Sequence, residues 1–402
     1  TKRPVLDAYE WILEDIEYLG FQPDEVVRAS DRLEAYYEHG HALIEAGGAY
    51  TCSCPQEAFS ERKNAGQPCI HRDKPAGTTH DEFDAMIDGG FDPGEMVLRV
   101  RTDIEHPNPA LRDWVAFRQI GTPHPRPEAD AYRCWPTLDF QSGIDDHLLG
   151  ITHIVRGIDL QDSAKRQGFV YDYFGWRYPE VVHWGHVQVD EYDVTLSTSR
   201  IAELIEAGHL DGWDDPRAPT IRSLRRRGIR GEALTAAMIE LGTSTSNVDL
   251  AMSSVYARNR ELIDRGADRL FLVRDGVEKL VIGGPDGGEP PVHPDDPDRG
   301  VRALSVVEGI LLEADDVPPN GERVWLKGYG CVRHTRDALE YDPADIDVVR
   351  SGEVAVVHWV PAQNNRPVTL RTSEGDVDGC AEAGIVDYGR DDMIQFERIG
   401  FA

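Results

Sequence analysis

Between residues 52 and 71 the chain reads CSCPQEAFSERKNAGQPCIH, and no other stretch so narrows what it can fold into. Cys52, Cys54, Cys69 and His71 form two close pairs separated by fourteen residues. Three thiolates and one imidazole make a tetrahedral Zn²⁺ set, and four protein ligands close the coordination, so the role this predicts is structural. Little apolar surface lies nearby to hold such turns without a metal. The remaining cysteines, 134, 331 and 380, are singles. This usage fits a reducing compartment, not a disulfide framework. Three idle cysteines beside a surface histidine is the alternative. It fits poorly with half the cysteines falling within eighteen residues.

A chain of 402 residues suggests two or three domains. Helical periodicity over residues 5–19 (Leu6, Tyr9, Ile12 or Leu13, Ile16, Leu19) stops at Gly20. A second helix is expected after Ser30 as N-cap, ending at Gly47-Gly48. Residues 51–133 read as irregular and loop-rich apart from a β-like run at 96–100. Residues 134–200 alternate strand-like pieces (HIVRGI, VVHWGHVQV) with a helical stretch over 164–174, which is an α/β signature. Helix then dominates to about Arg265. Beyond it come short strands, among them a predicted hairpin across Phe271–Ile282 turning at Asp275-Gly276. The fold class expected is multidomain α/β plus α plus β, with boundaries near 200 and 266.

The net charge is -30, and only six of 42 cations are Lys. Such a surface is tolerable where salt screens it, the balance used by halophiles. No run of about 18 apolar residues offers a membrane span, and no basic-plus-apolar leader follows Thr1, so a soluble, cytoplasmic protein is expected. The acidity argues against DNA and against non-specific nucleic-acid binding, yet local cation clusters decide such binding. One is RSLRRRGIRG, with Arg222, Arg225, Arg226, Arg227 and Arg230. It suits a phosphate backbone, or a solvated face paired with acids.

Two further pieces carry chemistry. LSTSR (Leu196–Arg200) gathers hydroxyls and a cation between a strand and a helix. It suits a polyphosphate, but on its own the pattern favours a Ser/Thr helix cap. Arg156, in HIVRGIDLQDS, is either a core ion pair with Asp139, Asp145 or Asp159 or a fork for a carboxylate, and pattern alone favours the ion pair. His147, His153, His183 and His186 have no metal-ligand spacing and read as satisfied strand-end histidines.

Taken in order, ASDRLEAYYEHGHALIEAGGAYTCSC, HPNPALRDWVAFR, WPTLDFQSGIDDHLLGITHIVRGIDLQDS, LSTSR, GWDDPRAPTIRSLRRRG and IQFERIGF resemble the class I aminoacyl-tRNA synthetases of the glutamyl/glutaminyl subfamily, in its archaeal glutamyl branch. The resemblance runs through nearly the whole chain. It implies a Rossmann-type catalytic domain over 1–200, with a zinc-containing acceptor-end insertion at about 48–133. It further implies a helical stem-contact region over 201–265 and β-barrel anticodon-binding domains over 266–402. Thr195–Ser199 falls where the family carries its KMSKS loop over ATP. Both loop lysines are replaced, by Thr195 and Thr198, and a cation arrives one place later as Arg200. Ser197, Ser199 and Arg200 are then the implied catalytic residues, with ATP and Mg²⁺. Arg156 falls where glutamate enzymes carry Arg, and so binds the glutamate side chain. Arg225, Arg226 and Arg227 would meet tRNA(Glu), and in archaeal relatives commonly tRNA(Gln) as well. Arg333, Arg336 and Arg366 are candidates in the anticodon region. The sequence departs from the family at Leu138, where relatives often carry Tyr, and it contains no HIGH motif. A β-α-β unit of roughly 30 or more residues is therefore expected to be missing, and the 402-residue chain to be inactive alone. A glutaminyl enzyme and a non-catalytic tRNA-binding module are the alternative readings.

Overall fold

The computed structural model describes residues 5–189, 191–192, 197–390 and 392–402. The chain forms two compact units: Thr1–Glu17 with Phe21–Gln188 and Gly242–Val248, and Tyr18–Gly20 with Val189–Leu241 and Asp249–Ala402.

The N-terminal helix spans Ala8–Tyr18, and Gly20 ends it at φ +85°, a left-handed conformation that costs a glycine little. The expected apolar stripe is only partly covered: Tyr9, Leu13, Ile16 and Leu19 are half-buried, and Leu6 and Ile12 are exposed. No residue of this helix is buried, and Tyr9, Ile12 and Leu13 line an open cavity of about 790 Å³ with Val26, Leu33 and Trp135. The next helix is Leu33–Glu45, ending before Gly47 at φ +74°. Ser30 does not cap it. Residues Ala29–Asp31 make a 3₁₀ turn, and the Ser30 hydroxyl accepts instead from Arg126 Nη1 at 2.5 Å.

The region read as irregular is ordered. Strands Ala49–Cys52, Val97–Val100, Val115–Gln119 and Cys134–Pro136 form one antiparallel sheet in chain order, and helices Gln56–Asn64 and Ala76–Ile87 lie between the first two. All four residues of Ala49–Cys52 are buried, so the strand shows no period-two alternation. Tyr36, Phe83, Leu98, Phe117 and Phe140 make the core under it.

The α/β signature is a βαβ unit. Strand His153–Gly157 leads through helix Gln161–Phe174 to strand Glu180–Trp184, which pairs parallel with the first from His153↔Glu180 to Gly157↔Trp184. Helix Leu138–Leu148 approaches the crossover helix closely at Gly143, where an added Cβ would stand 3.2 Å from Gln167 Cγ.

The second unit opens with helices Thr198–Glu206, Ile221–Arg226, Gly231–Leu241 and Met252–Ile263. Buried Asn259 ties two of these pieces together, accepting from the Arg230 backbone N–H and donating to the Gly228 carbonyl. The β region follows. Its expected hairpin does not form: Leu272–Val273 pairs with Gly375–Glu382, whereas Gly276–Ile282 pairs with Ile310–Glu313 and, in parallel, with Ala338–Tyr341. Asp275, at φ +44°, turns the chain from one sheet into another, and Arg274 fixes the corner by forking onto Glu313 at 2.9 and 3.2 Å. The larger sheet has seven strands and ends in Val356–Val357 and Val360–Pro361. Only His358 and Trp359 separate these end strands in the chain, so the sheet curls until its edges nearly meet around fully buried Trp359. Strand Ile394–Phe396 ends in a turn, where Arg398 adopts φ +69° and forks onto Asp316, before Gly400–Phe401 returns to pair with it.

Glu397, in that turn, accepts from Lys327 and lies 3.5 Å from His358 Nε2. Burial pushes its carboxyl up, but hydrogen bonds and charge from His358 and Lys327 more than offset this and hold it down at about 2. A depressed carboxylate stabilises the fold fully above its unfolded value near 4.5 and loses that contribution as pH falls toward 2. In urea titrations, Glu397→Gln should therefore cost about 3 kcal/mol at pH 6, with the gap to wild type narrowing steadily below about pH 4.5.

Candidate functional site

The cysteines and histidine of residues 52–71 come together. Cys52 ends its strand, Cys54 follows two residues on, and Cys69 and His71 lie in the turn after helix Gln56–Asn64. Cys69 Sγ lies 3.4 Å from both Cys52 Sγ and Cys54 Sγ, and His71 Nδ1 lies 3.4 Å from Cys54 Sγ and 3.6 Å from Cys69 Sγ. Such separations match the edges, about 3.3–3.8 Å, of a tetrahedron with metal–ligand bonds of roughly 2.0–2.3 Å. All four ligand atoms lie within 4.8 Å of one another, and the cysteines are free thiols. The cluster could hold a metal ion. Burial pushes the thiols of Cys54 and Cys69 up and the imidazole of His71 down. Cys52 goes the other way: burial would raise it, but the Arg99 guanidinium beside it holds it below the ordinary thiol value. Arg72 braces the turn from behind, donating to buried Asp113 at 2.9 Å and to the Thr102 carbonyl at 2.5 Å.

Arg156 lies on the first strand of the βαβ unit with its side chain 10 % exposed. None of the three expected acids pairs with it. Asp139 is held by Arg166 and Asp145 by Arg32, while Arg156 Nη2 stands 4.0 Å from Asp146 Oδ2. Its Nη1 donates to Gln167 Oε1 at 3.1 Å. Asp146 Oδ2 accepts no hydrogen bond, and burial pushes its carboxyl up. Among the described residues, then, no carboxylate lies within hydrogen-bond distance of this largely desolvated guanidinium. Sequence reading missed Asp146 and Gln167, which lie on two different helices and carry no local signal. The neighbouring histidines vary: His147 is helical and stacks on Trp176 at 3.5 Å, His153 lies 3.4 Å from Glu180, and His186 lies 3.9 Å from Asp159. His183 Nε2 is buried with no hydrogen-bond partner among the described residues.

Thr195 and Leu196 lie outside the described residues. Ser197 is the N-cap of helix Thr198–Glu206, its hydroxyl accepting from the Arg200 backbone N–H at 3.5 Å. Thr198, Ser199 and Arg200 are exposed, and Arg200 pairs with Glu203 at 3.0 Å. Downstream, GWDDPR is a turn tied by one carboxylate. Buried Asp215 accepts from the Asp211 and Arg217 backbone N–H groups and from both ends of the Arg217 guanidinium. The arginine run divides. Arg225 and Arg226 are exposed, the first over the Tyr18 ring and the second 3.1 Å from Asp214. Arg227 is largely buried. It pairs with Glu191 at 2.9 Å and donates to Tyr192 Oη at 2.9 Å and Tyr256 Oη at 2.5 Å. In the β region Arg333 is held by Asp342 and the Gly321 carbonyl, Arg366 donates to the Asn365 carbonyl, and Arg336 is exposed.

Two family models match this chain. Residues 1–265 match the tRNA synthetases class I (E and Q), catalytic domain, and residues 267–348 the anti-codon binding domain of the same group. The chain belongs to the class I tRNA synthetases of the E and Q group. Its relatives include proteins named glutamate–tRNA ligase. That of Haloarcula marismortui is 67 % identical over 408 residues, and that of Natronomonas pharaonis 67 % over 402, each match taking in all of this chain and 70 % of the relative. The Methanosarcina acetivorans protein of that name is 44 % identical over 407 residues, covering all of this chain and 71 % of the relative.

Within this synthetase, Arg227 and Arg226 should behave differently. Removing one partner of a buried pair costs roughly 3–5 kcal/mol, whereas an exposed pair contributes about 1 or less. Urea unfolding should show a loss of that larger size for Arg227→Met and under about 1 kcal/mol for Arg226→Met.

Proposed function

We propose that the protein is an archaeal glutamate–tRNA ligase. It activates L-glutamate with ATP and Mg²⁺ as glutamyl-adenylate, then passes the glutamyl group to the 3′-terminal ribose of tRNA(Glu) in the cytoplasm. Family membership and the names of its relatives support the reaction class. The observation that carries glutamate as the amino acid is Arg156, a largely buried guanidinium that, among the described residues, has only Asp146 at 4.0 Å as a carboxylate neighbour and no carboxylate within hydrogen-bond distance. A γ-carboxylate would complete a bidentate, charge-assisted pair there, and a carboxamide would leave the charge unmatched.

The other residues take roles consistent with their surroundings. Ser197, Ser199 and Arg200, at the start of a helix, offer backbone N–H groups, hydroxyls and a cation to the triphosphate. Mg²⁺ would neutralise phosphate charge during adenylate formation. Arg225 and Arg226 face solvent and suit tRNA phosphates, while Arg227 holds the segment that carries Glu191 and Tyr192. On this reading residues 1–200 catalyse, with an acceptor-end insertion near 48–133. Residues 201–265 meet the stem and 266–402 the anticodon. The donor set of Cys52, Cys54, Cys69 and His71 fits Zn²⁺ in a structural role.

In the whole protein, Arg156→Gln should lower kcat/KM for glutamate at least about a hundredfold while leaving the KM for ATP within about threefold. Undiminished glutamate charging would refute the assignment. Metal analysis of chelator-free preparations should find about one zinc per chain, absent from the Cys52→Ser, Cys54→Ser double variant.

A further inference from the structure

A Zn²⁺ ion with three thiolates and a neutral imidazole carries a net charge of about -1. Cys52 and Cys69 are 1 % and 4 % exposed, so that charge would sit largely out of water, where it is costly unless balanced. Several cations lie near, and most are already committed. Arg72 pairs with Asp113, Lys74 pairs with Glu82 at 2.5 Å, and Arg112 donates to the carbonyls of Lys63, Asn64 and His106.

Arg99 is different. The register pairs Tyr50 with Arg99 and Cys52 with Val97, and directly opposed residues share a sheet face. Arg99 is therefore diagonal to Cys52 on the face that carries the thiols. It is 7 % exposed, no carboxylate among the described residues pairs with it, and its Nε has no hydrogen-bond partner. Its guanidinium lies over the Phe59 ring, 3.4 Å from the centroid. Phe59 is the one buried residue of helix Gln56–Asn64, the helix that joins Cys54 to Cys69. The metal-bearing segment thus supplies the shelf that orients the cation, and the neighbouring strand supplies the cation itself.

We propose that Arg99 is the built-in counter-charge of the metal centre, a positioning residue that balances the thiolate-rich complex and fixes the turn around it. The proposal rests on the metal reading above but makes a separate claim, that a positive charge at residue 99 sets how tightly the ion is held. Its absence should weaken binding by the roughly 10–100-fold typical of lost outer-shell partners.

The test measures the Zn²⁺ dissociation constant of the whole protein by competition with a chromophoric chelator, for wild type, R99M and R99K. R99M should bind about 10–100-fold more weakly. R99K, which keeps the charge, should stay within about threefold of wild type. The rise in Tm on adding Zn²⁺ to metal-stripped protein should shrink in R99M and persist in R99K. A folded R99K beside an R99M that cannot fold even with Zn²⁺ supports the role of the charge equally. Equal affinity in R99M and wild type, or R99K as weak as R99M, overturns the role of Arg99. Failure of the wild type to bind zinc overturns the metal reading itself.

Discussion

A guanidinium taken out of water must be given negative charge or acceptors, and this chain has 36 of them to place. Most buried and half-buried examples are visibly balanced. Arg302 meets Glu382, Arg227 meets Glu191, Arg269 meets Asp264 and Arg72 meets Asp113. Arg112 satisfies itself on three carbonyls. Arg99 is buried and Arg156 largely so, and both stand out because, among the described residues, their positive charge is incompletely answered. We give both the same explanation: a ligand brings the missing charge, an amino-acid carboxylate at one and a thiolate-bound ion at the other.

Long amphipathic or well-punctuated elements were legible in the sequence. The helices ending at Gly20 and Gly47 and the crossover helix over 161–174 needed only period and stop signals. The four-stranded sheet beside the Cys/His cluster was not. Its strands are three to five residues long, and its first helix buries only Phe59. Asp275-Gly276 does turn the chain, yet each flanking strand found its partner far away in the sequence, and local pattern cannot see that choice. Ser30 had the chemistry of a cap, but Arg126 engages its hydroxyl instead.

The cluster of Cys52, Cys54, Cys69 and His71 was readable because its chemistry is local. Their spacing in the chain already pointed to the close group that the fold assembles. The surroundings of Arg156 were not readable, since Asp146 and Gln167 are ordinary helix residues until two helices and a strand converge. The arginine run shows the same limit. Composition gives three equal cations, whereas the fold exposes two and buries the third against Glu191, Tyr192 and Tyr256. A net charge of -30 adds a constraint of its own: in the salt that screens such a surface, phosphate contacts weaken too, so a small, well-placed cation set has to serve.

The most direct measurement is a crystal structure of the whole protein with L-glutamate bound. Both terminal nitrogens of Arg156 should lie about 2.7–2.9 Å from the γ-carboxylate oxygens, with the Asp139–Arg166 and Asp145–Arg32 pairs left in place. A γ-carboxylate held by some other cation, with Arg156 still turned toward Asp146 and Gln167, would contradict the assignment.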